Sequence, residues 1–248
     1  MSQCQIFRPE EIASVRRAGS ILRACLEMLA KEVKPGITTV ELDKLAEDFI
    51  RHHGGEPAFK GYHNFPATLC TSVNDECVHG IPSMRVLEEG DVVSLDCGVV
   101  VDELYTDACI TVPVGQVSKD AQRLLTVTKQ ALEDAVAIIK EGTKVGDISA
   151  TIQKTVEGGG CTPVRSLTGH GLGRTLHQFP DIPNIGKAHT GAALPAWTVI
   201  AIEPIVSLGS GEVRDGGDGW TLNIADGSLA AHFEHTILVT PDGCEVLA

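Results

Sequence analysis

An internal repeat is the feature of this chain that most restricts its fold. When the sequence is shifted by 106 residues, VKPGITTVEL (33–42) aligns with IKEGTKVGDI (139–148), and Gly36 coincides with Gly142. Two similar helix connections that arose independently remain the alternative explanation. A duplicated chain would gather residues from both of its halves at a central seam, so a functional site is expected there.

The order of helix-type and strand-type segments agrees with such a repeat. Apolar residues at helical spacing predict four helices, at residues 9–33, from Thr38-Thr39 to Gly54-Gly55, at 118–140 and at 146–158. Apolar and β-branched runs predict strands at residues 67–73, 91–100, 104–114, 197–207, 220–224 and 231–240. The sequence therefore predicts one α+β domain over residues 1–248, with pseudo-repeats at about 10–115 and 118–245.

Composition argues against several classes of function. The net charge is −13, and an acidic domain lacks the clustered Lys and Arg that bind nucleic-acid phosphates. The chain has no basic amphipathic stretch of the kind that binds a membrane surface, and its N-terminus has no apolar segment typical of a secretory signal. The eight cysteines are scattered without a CxxC pair. We therefore expect free thiols and a cytoplasmic location.

Two aspartates lie in a predicted hairpin. The stretch VVSLDCGVVVDELYTDACITV contains two strand-type runs around a polar turn near Asp102-Glu103. This places Asp96 and Asp107 nearly opposite each other on one face, where like charges are destabilising. A cation between the two carboxylates would remove that cost. A longer turn that leaves one aspartate in solvent is the alternative.

Two glutamates occur in apolar strands that contain no Lys or Arg. Glu203 ends the run AWTVIAIE, and Glu234 lies within LAAHFEHTILVT. A buried carboxylate costs several kcal/mol unless it is paired, protonated or bound to metal. Two divalent ions close together could balance all four carboxylates. The sequence therefore predicts a dinuclear metal centre.

The stretch GHGLGRTLHQFPDIPN (169–184) supplies two histidines, His170 and His177. Its glycines disfavour a helix, and in an extended segment an odd spacing directs the two rings to opposite faces. We therefore expect His170 alone to serve as a nitrogen ligand. A single histidine is more often structural than catalytic, and this alternative applies to His177 and to His79.

The order and spacing of these residues resemble a known family. The matching stretches run from about residue 10 to 245 and include SVNDECVHGIPS, SLDCG, TDACITV, GHGLGRTLHQFPDIPN, IEPIV and DGWTLNIADGSLAAHFEHTILV. They resemble the pita-bread metallopeptidases and, more narrowly, bacterial type I methionine aminopeptidases without an N-terminal extension. The resemblance implies a pita-bread fold, in which duplicated helices related by a pseudo-two-fold axis pack on a curved antiparallel sheet.

The resemblance also implies metal ligands. It assigns Asp96 to one metal, Asp107 and Glu234 to both metals as bridges, and His170 and Glu203 to the second metal. The ions would be Fe, Mn, Co, Ni or Zn, because carboxylates and one imidazole accept any of them. The resemblance also allows for one monovalent cation near Asn74.

The implied activity is metal-dependent removal of the N-terminal methionine from nascent proteins and peptides whose second residue is small. A water or hydroxide held by two metals would attack the first peptide bond. Glu203 would move the proton to the leaving amine, His177 would steady the oxyanion, and His79 would lie near the nitrogen of the leaving peptide. The chain itself begins Met1-Ser2, so its own N-terminus is a candidate substrate.

The resemblance places substrate-binding residues at eight positions: Phe59, Tyr62, Phe65, Cys70, His79, Leu176, His177 and Trp220. All of them except the two histidines form the implied methionine pocket. Two of them depart from the usual pattern, since Leu176 stands where Phe is common and Phe59 where a smaller residue is common. Tyr62 and Trp220 could also be ordinary core aromatics. The pocket is expected to accept methionine because the two departures partly offset in volume.

Partners and alternatives follow from the same resemblance. We expect nascent polypeptide N-termini as substrates, a monomeric chain, and at most transient contact with the ribosome through the folded domain. The nearest alternative is a pita-bread peptidase that cleaves Xaa-Pro bonds, although those enzymes usually carry an extra N-terminal domain. A binding protein that has lost the chemistry is a second alternative, and it would be expected to have lost metal ligands.

Overall fold

The computed structural model describes residues 3–248, so Met1 and Ser2 and their predicted processing lie outside the described residues. It contains four α-helices: α1 (Pro9–Glu32), α2 (Thr39–His52), α3 (Lys119–Ala137) and α4 (Val145–Gly158). Each lies within about three residues of its predicted position. Within the described part of the chain, no helix combines the length and the apolar character needed to cross a membrane.

Local sequence signals explain where the helices begin. Helix α1 starts with Pro9. Proline has no backbone N–H, and a residue in the first turn of a helix has no partner within the helix for that group, so no hydrogen bond is lost. Helix α2 starts after Thr38, whose backbone N–H donates to the Glu41 carboxylate at 2.8 Å in a capping box. Helix α3 follows Ser118, whose hydroxyl accepts from the backbone N–H of Ala121 at 3.1 Å.

The strands are short and all of their pairings are antiparallel. The first half of the chain contributes β1 (Glu56–Pro57), β2 (Leu69–Val73), β3 (Glu76–Val78), β4 (Val92–Val101) and β5 (Leu104–Pro113). The second half contributes β6 (Thr162–Pro163), β7 (Thr168–Gly171), β8 (Gln178–Pro183), β9 (Val199–Ile202), β10 (Ile205–Ser207), β11 (Val213–Asp215), β12 (Leu222–Ile224), β13 (Ala230–His232), β14 (His235–Val239) and β15 (Cys244–Val246). They form four sheets, ordered β1-β4-β2 with β5 on β4, β13-β10-β6, β11-β12-β3, and β15-β14-β9-β7-β8.

Two segments that were predicted as single continuous strands are each divided into two strands. The segment 197–207 is divided into β9 and β10 at Glu203-Pro204, and the segment 231–240 is divided into β13 and β14 at Phe233-Glu234. Proline lacks the N–H that a continuous ladder requires, which explains the first division. Both interruptions therefore fall at a glutamate that the sequence had placed inside a strand.

The two halves form separate apolar clusters that meet at a seam. One cluster combines α1 and α2 with β2, β4 and β5, and the other combines α3 and α4 with strands of the second half. At the seam, Cys109 and Glu234 exchange two backbone hydrogen bonds, of 3.3 and 2.9 Å. Thr236 adds a side-chain bond there, because its hydroxyl accepts from the backbone N–H of Asp107 at 2.8 Å.

Matching hydrogen bonds occur at corresponding places in the two halves. The backbone N–H of Gly36 donates to Leu87 O at 2.8 Å, and that of Gly142 donates to Leu194 O at 2.8 Å. A second matched pair follows helices α2 and α4: Gly55 N to Ile50 O at 3.0 Å, and Cys161 N to Val156 O at 3.1 Å. These pairs support the internal repeat expected from the sequence.

Candidate metal centre and substrate cavity

The β4–β5 hairpin carries the two aspartates on one face. Asp96 pairs with Cys109, and Asp107 pairs with Gly98, so the aspartates are diagonal neighbours on one face, in keeping with the nearly opposite placement that was predicted. They are not directly opposite, because the turn is centred between Asp102 and Glu103, one residue later than the midpoint used in the prediction. Both side chains are buried, with 8% and 4% of their surface exposed.

The two glutamates reach the same face from the strand interruptions. Glu203 lies between β9 and β10, and Glu234 lies between β13 and β14 directly beside β5. An interruption frees a residue from the alternation of a regular strand, so its side chain can point toward the seam. The structure therefore brings together four carboxylates from the two halves of the chain.

His170 joins this group from strand β7. Its Nδ1 lies 3.0 Å from the carbonyl oxygen of Gly171, which leaves Nε2 to face the carboxylates. Nε2 is 3.5 Å from Glu203 Oε1 and 4.0 Å from Asp107 Oδ2. A Cβ atom at Gly171 would lie 2.3 Å from Phe179 O, so only glycine allows β8 to pack this closely behind the histidine.

The expectation that His170 and His177 face opposite sides was wrong. Their rings face the same cavity, with centroids 4.3 Å apart. The prediction assumed one extended segment, whereas residues 172–177 form an irregular loop between β7 and β8. This loop returns the chain across the cavity and brings the second ring beside the first.

Burial disfavours charge on every ionisable group of this cluster. It raises the pKa of Asp96 to about 7, and it raises the pKa of Asp107 and Glu234 well above the ordinary value, with further contributions from the neighbouring carboxylates. Burial likewise raises the pKa of Glu203 and lowers the pKa of His170 to about 3. The cavity lining contains no Lys or Arg, so the protein offers no cation to these carboxylates.

The cluster has the properties of a site for divalent cations. Asp107, His170 and Glu234 each place one ligand atom within 4.8 Å of the others. Three buried carboxylate oxygens have no hydrogen-bond partner in the described residues: Asp96 Oδ1, Asp107 Oδ1 and Glu234 Oε1. Buried polar atoms are rarely left unpaired, and oxygen-rich sites with one imidazole suit divalent metals. The residues therefore fit a metal centre.

A cavity of about 130 Å³ connects this cluster to an apolar cup. All eight predicted substrate-binding positions line it: Phe59, Tyr62, Phe65, Cys70, His79, Leu176, His177 and Trp220. Aromatic edges form part of its wall, since Trp220 meets Phe65 at a centroid distance of 5.0 Å. Tyr62 and Trp220 are thus cavity residues and not ordinary core aromatics.

Two histidines of the cavity contact its aromatic residues. The hydroxyl of Tyr62 lies 3.0 Å from Nδ1 of His177, and the ring of His79 lies edge-on to Trp220 at 6.2 Å. Burial lowers the pKa of His79 to about 4, and it also lowers the pKa of His177. Both rings are therefore neutral near pH 7 and able to donate or accept hydrogen bonds.

His232 is a cavity residue that the sequence analysis missed. It is 2% exposed and lies in β13, two residues before Glu234. Neither of its ring nitrogens has a hydrogen-bond partner among residues 3–248. The available signal was the position of a histidine inside the apolar run LAAHFE, where an unpaired imidazole is costly.

The oxygens of Asn74 are already engaged. Its Oδ1 accepts from the backbone N–H of Val92 at 3.1 Å, and its backbone oxygen accepts from the N–H of Ala230 at 2.8 Å. Its Nδ2 donates to Asp91 at 2.8 Å. These bonds fix the loop after β2, and the monovalent cation expected nearby stays a prediction.

An α+β fold with a buried carboxylate and imidazole cluster beside an apolar cup defines a metal-dependent hydrolase. The profile described as metallopeptidase family M24 matches residues 13–241. The chain belongs to this family, and within it to the methionine aminopeptidases. The predicted fold class and family resemblance are thereby confirmed.

The relatives show how far this similarity extends. A methionine aminopeptidase from Clostridium perfringens is 44% identical over 237 residues, which cover 96% of this chain and 95% of that protein. A crystal structure of methionine aminopeptidase from Thermotoga maritima is 42% identical, covers 99% of both chains and superposes with a TM-score of 0.98.

The Xaa-Pro peptidases share only the fold. Prolidase from Pyrococcus furiosus superposes with a TM-score of 0.80 at 22% identity, and the match covers 98% of this chain but 64% of that one. At such low identity the similarity says nothing about substrate. The full-length matches to methionine aminopeptidases therefore carry the assignment.

Proposed function

We propose that this chain removes the N-terminal methionine from proteins and peptides whose second residue is small. The observation that carries the proposal is the cavity that joins an apolar cup to the carboxylate cluster. A methionine side chain in the cup would bring the first peptide bond to the cluster. The reaction is metal-dependent hydrolysis, in keeping with the family.

Five residues would hold two divalent ions. Asp96 would bind one ion, Asp107 and Glu234 would be shared by both, and His170 and Glu203 would bind the other. Bound there, the ions supply Lewis acidity and lower the pKa of water toward neutrality. The unpaired oxygens of Asp96, Asp107 and Glu234 support these roles, since no protein group satisfies them.

Three side chains would act on the substrate directly. Glu203 would take the proton of the attacking water and deliver it to the leaving amine, because it lies at the edge of the cluster and is 12% exposed at its side chain. His177 would donate a hydrogen bond to the carbonyl oxygen as negative charge develops there. His79, at the Trp220 side of the cavity, would contact the nitrogen of the next residue.

The apolar cup would select methionine by shape. Phe59 and Leu176 are 7% and 2% exposed and pack in one cluster with Phe65 and Cys70. An unbranched thioether fills an irregular cup of this kind well and contacts its aromatic edges favourably. The departures at Phe59 and Leu176 would partly offset each other in volume, so the cup would still accept methionine.

Location and partners follow from this activity. The substrates would be nascent chains in the cytoplasm, where the eight free thiols of this chain stay reduced. The chain would act as a monomer and contact the ribosome only transiently. With a net charge of −13, it is not expected to bind nucleic acid.

Release of methionine from Met-Ala-Ser tests the proposal. The purified protein is stripped of metal, reloaded with Mn(II) or Co(II), and assayed beside an Ala-Pro-containing peptide. Metal-dependent release of methionine with the second peptide intact is the expected result. Cleavage before proline, or no turnover while metal is bound, would overturn the proposal.

A matched pair of variants controls for the metal site. Asp107→Asn removes a ligand charge, whereas Asp102→Asn makes the same change at the exposed turn of the same hairpin, where Asp102 accepts only from the Ser14 hydroxyl at 2.7 Å. We expect Asp107→Asn to abolish activity and Asp102→Asn to retain it. Equal effects of the two changes would mean that the hairpin face is not the metal site.

A further inference from the structure

His232 is the buried ionisable side chain of the cavity that the proposed mechanism does not use. Its backbone is fixed between two strands: its N–H donates to Thr111 Oγ1 at 2.9 Å, and its carbonyl accepts from the same hydroxyl at 2.7 Å. His232 also pairs with Ile205 of the neighbouring strand β10. The ring is therefore held at the cavity wall by a rigid backbone, although the ring nitrogens themselves have no partner.

Two carboxylates face one nitrogen of this ring. Nε2 of His232 is 3.7 Å from Oε2 of Glu203 and 3.7 Å from Oε2 of Glu234. An ionised carboxylate, the form that binds a metal ion, can only accept hydrogen bonds, so with metal bound a lone pair at Nε2 would face two acceptors unfavourably. A neutral imidazole carries one N–H, and this environment places it on Nε2.

The comparison with His170 separates a metal ligand from a hydrogen-bond donor. A ligating histidine usually donates its other ring N–H to a fixed acceptor, which orients the ring toward the metal. His170 has such an acceptor, the carbonyl oxygen of Gly171 at 3.0 Å. His232 has none, since its Nδ1 is buried without a partner.

We infer that His232 is a positioning residue of the metal centre, whose Nε2–H becomes a shared hydrogen-bond donor to Glu203 and Glu234 when metal is bound. It orients one carboxylate from each strand interruption, and so holds the two glutamates in register with Asp96 and Asp107. The inference rests on the proposed function of the cluster. It adds a residue whose role is exerted through two ligands and not through contact with the substrate.

Two substitutions separate this role from packing. His232→Leu keeps an apolar side chain of similar size without the donor, and His232→Gln keeps an N–H at nearly the position of Nε2. His235→Leu is the matched control, because His235 is the next histidine along the chain and its Nδ1 lies 2.8 Å from Ala248 O, away from the cavity lining. All three are compared with the wild type.

The first measurement is binding of Mn(II) and Co(II) to the metal-stripped proteins by calorimetry, with the visible absorption of the Co(II) forms as a report on ligand geometry. We expect His232→Leu to weaken metal binding about tenfold and to change the Co(II) spectrum, as removal of an outer partner of ligands typically does. His232→Gln should stay within about threefold of the wild type. His235→Leu should leave metal affinity and spectrum unchanged.

The second measurement is thermal unfolding of the metal-free proteins. Replacing a buried histidine that has no partners by an apolar residue removes an unpaired polar group, so metal-free His232→Leu should unfold at or above the wild-type temperature. His235→Leu loses a made hydrogen bond and should unfold earlier. If the role of His232 were only structural, metal-free His232→Leu would unfold below the wild-type temperature.

Two outcomes would overturn the inference. If His232→Leu binds metal as the wild type does, with the same Co(II) spectrum, the histidine does not position the ligands. If His232→Gln loses as much affinity as His232→Leu, the ring is itself a metal ligand. Failure of the proposed function is distinguishable from both, because the wild type would then neither bind metal nor release methionine from Met-Ala-Ser.

Discussion

At the scale of single residues, the site is built from ionisable side chains whose burial costs free energy. Four carboxylates and two imidazoles occupy one buried seam, and the pKa of each is shifted toward its neutral form by burial. Such a concentration of unpaired acids is tolerated only when something outside the chain balances it. That cost is also why the carboxylates could be recognised in the sequence.

Glu203 offers a direct test of the proton-transfer role. We expect Glu203→Gln to lower kcat for Met-Ala-Ser by about 10²- to 10⁴-fold, the usual contribution of a general base. The amide has the same shape, and the carboxyl is already disposed to be neutral because burial raises its pKa, so the fold should be retained. Steady-state kinetics at saturating Mn(II) measure the effect.

Glu212→Gln is the control for this change, since Glu212 is exposed and forms a loose ion pair with Arg165, at 3.8 Å. Its kcat should equal that of the wild type. A value of kcat for Glu203→Gln within about threefold of the control would remove Glu203 from the chemistry.

The Tyr62 hydroxyl offers a second test at this scale. Its contact with His177 Nδ1 at 3.0 Å orients the ring, so Tyr62→Phe should lower kcat about tenfold while KM changes little, because the aromatic wall remains. Tyr105→Phe is a matched control, since Tyr105 packs on the same cluster and its hydroxyl makes no hydrogen bond within residues 3–248. Equal kinetics of the two variants would contradict the assignment.

At the scale of elements, the helices could be predicted and many of the strands could not. Caps and apolar periodicity marked α1 and α2 because those signals are local. The strands β7 and β8 were missed because their glycines and prolines oppose strand propensity, and only the pairing of β7 with β9 and of β8 with β7 determines them. The interruption at Glu234 was missed for a related reason, since Glu234 pairs with Cys109 across the seam. The interruption at Glu203 was missed although Pro204 signals it locally.

The loop between β7 and β8 carries Leu176 and His177, and the N-terminal segment holds it. Arg174 donates two hydrogen bonds to Glu11 of α1, at 3.0 and 2.5 Å, and its guanidinium lies 5.3 Å from the centre of the Phe7 ring. Phe7 also packs on Gly173, whose missing side chain leaves room for the ring. The position of the loop therefore depends on residues far away in sequence.

Removing this clamp should impair catalysis more than stability. We expect Arg174→Ala to lower kcat/KM about fivefold without changing metal affinity, and to cost about 1 kcal/mol or less in unfolding free energy, as for other partly exposed ion pairs. Arg16→Ala removes a similar pair from the same helix, formed with Glu245 at 2.7 Å and away from the loop between β7 and β8. Its kinetics should match the wild type, and a similar loss of kcat/KM there would argue against a specific clamp.

At the scale of the whole molecule, the site depends on how the two halves meet. The sequence indicated the repeat, the α+β class and the candidate residues, but it did not indicate how the ligands converge. Asp96 and Asp107 were expected to be nearly opposite and are diagonal neighbours on one face, whereas His170 and His177 were expected on opposite faces and are adjacent. The second expectation was wrong because the path of a loop is set by tertiary packing and not by the alternation of a regular strand.

The buried acids predict how stability depends on pH in the absence of metal. Above about pH 7.5 the histidines are almost entirely neutral in both the folded and the unfolded chain, so they no longer contribute a dependence. The carboxyls still retain protons in the folded state, because burial raises the pKa of Asp96 to about 7 and raises those of Asp107, Glu203 and Glu234 well above their ordinary values, whereas the unfolded chain has lost them. Stability therefore falls as pH rises through this window.

Thermal unfolding between about pH 7.5 and about pH 8.5 measures this effect. We expect the melting temperature of the metal-free protein to fall over that range, and Mn(II) to reduce the fall, because bound metal favours ionised carboxylates and stabilises the folded state. A melting temperature of the metal-free protein that stays constant or rises with pH would contradict the prediction.

The seam between β5 and β14 has a consequence for the history of the chain. Asp96 and Asp107 precede residue 115, and His170, Glu203 and Glu234 follow residue 118, so neither half holds all five of the proposed ligands. If the halves descend from one ancestral segment, that segment could have built a site only by pairing with a copy of itself. One half now supplies the two aspartates, and the other supplies the histidine and the two glutamates. On that view, the two halves diverged after the copies were fused into one chain.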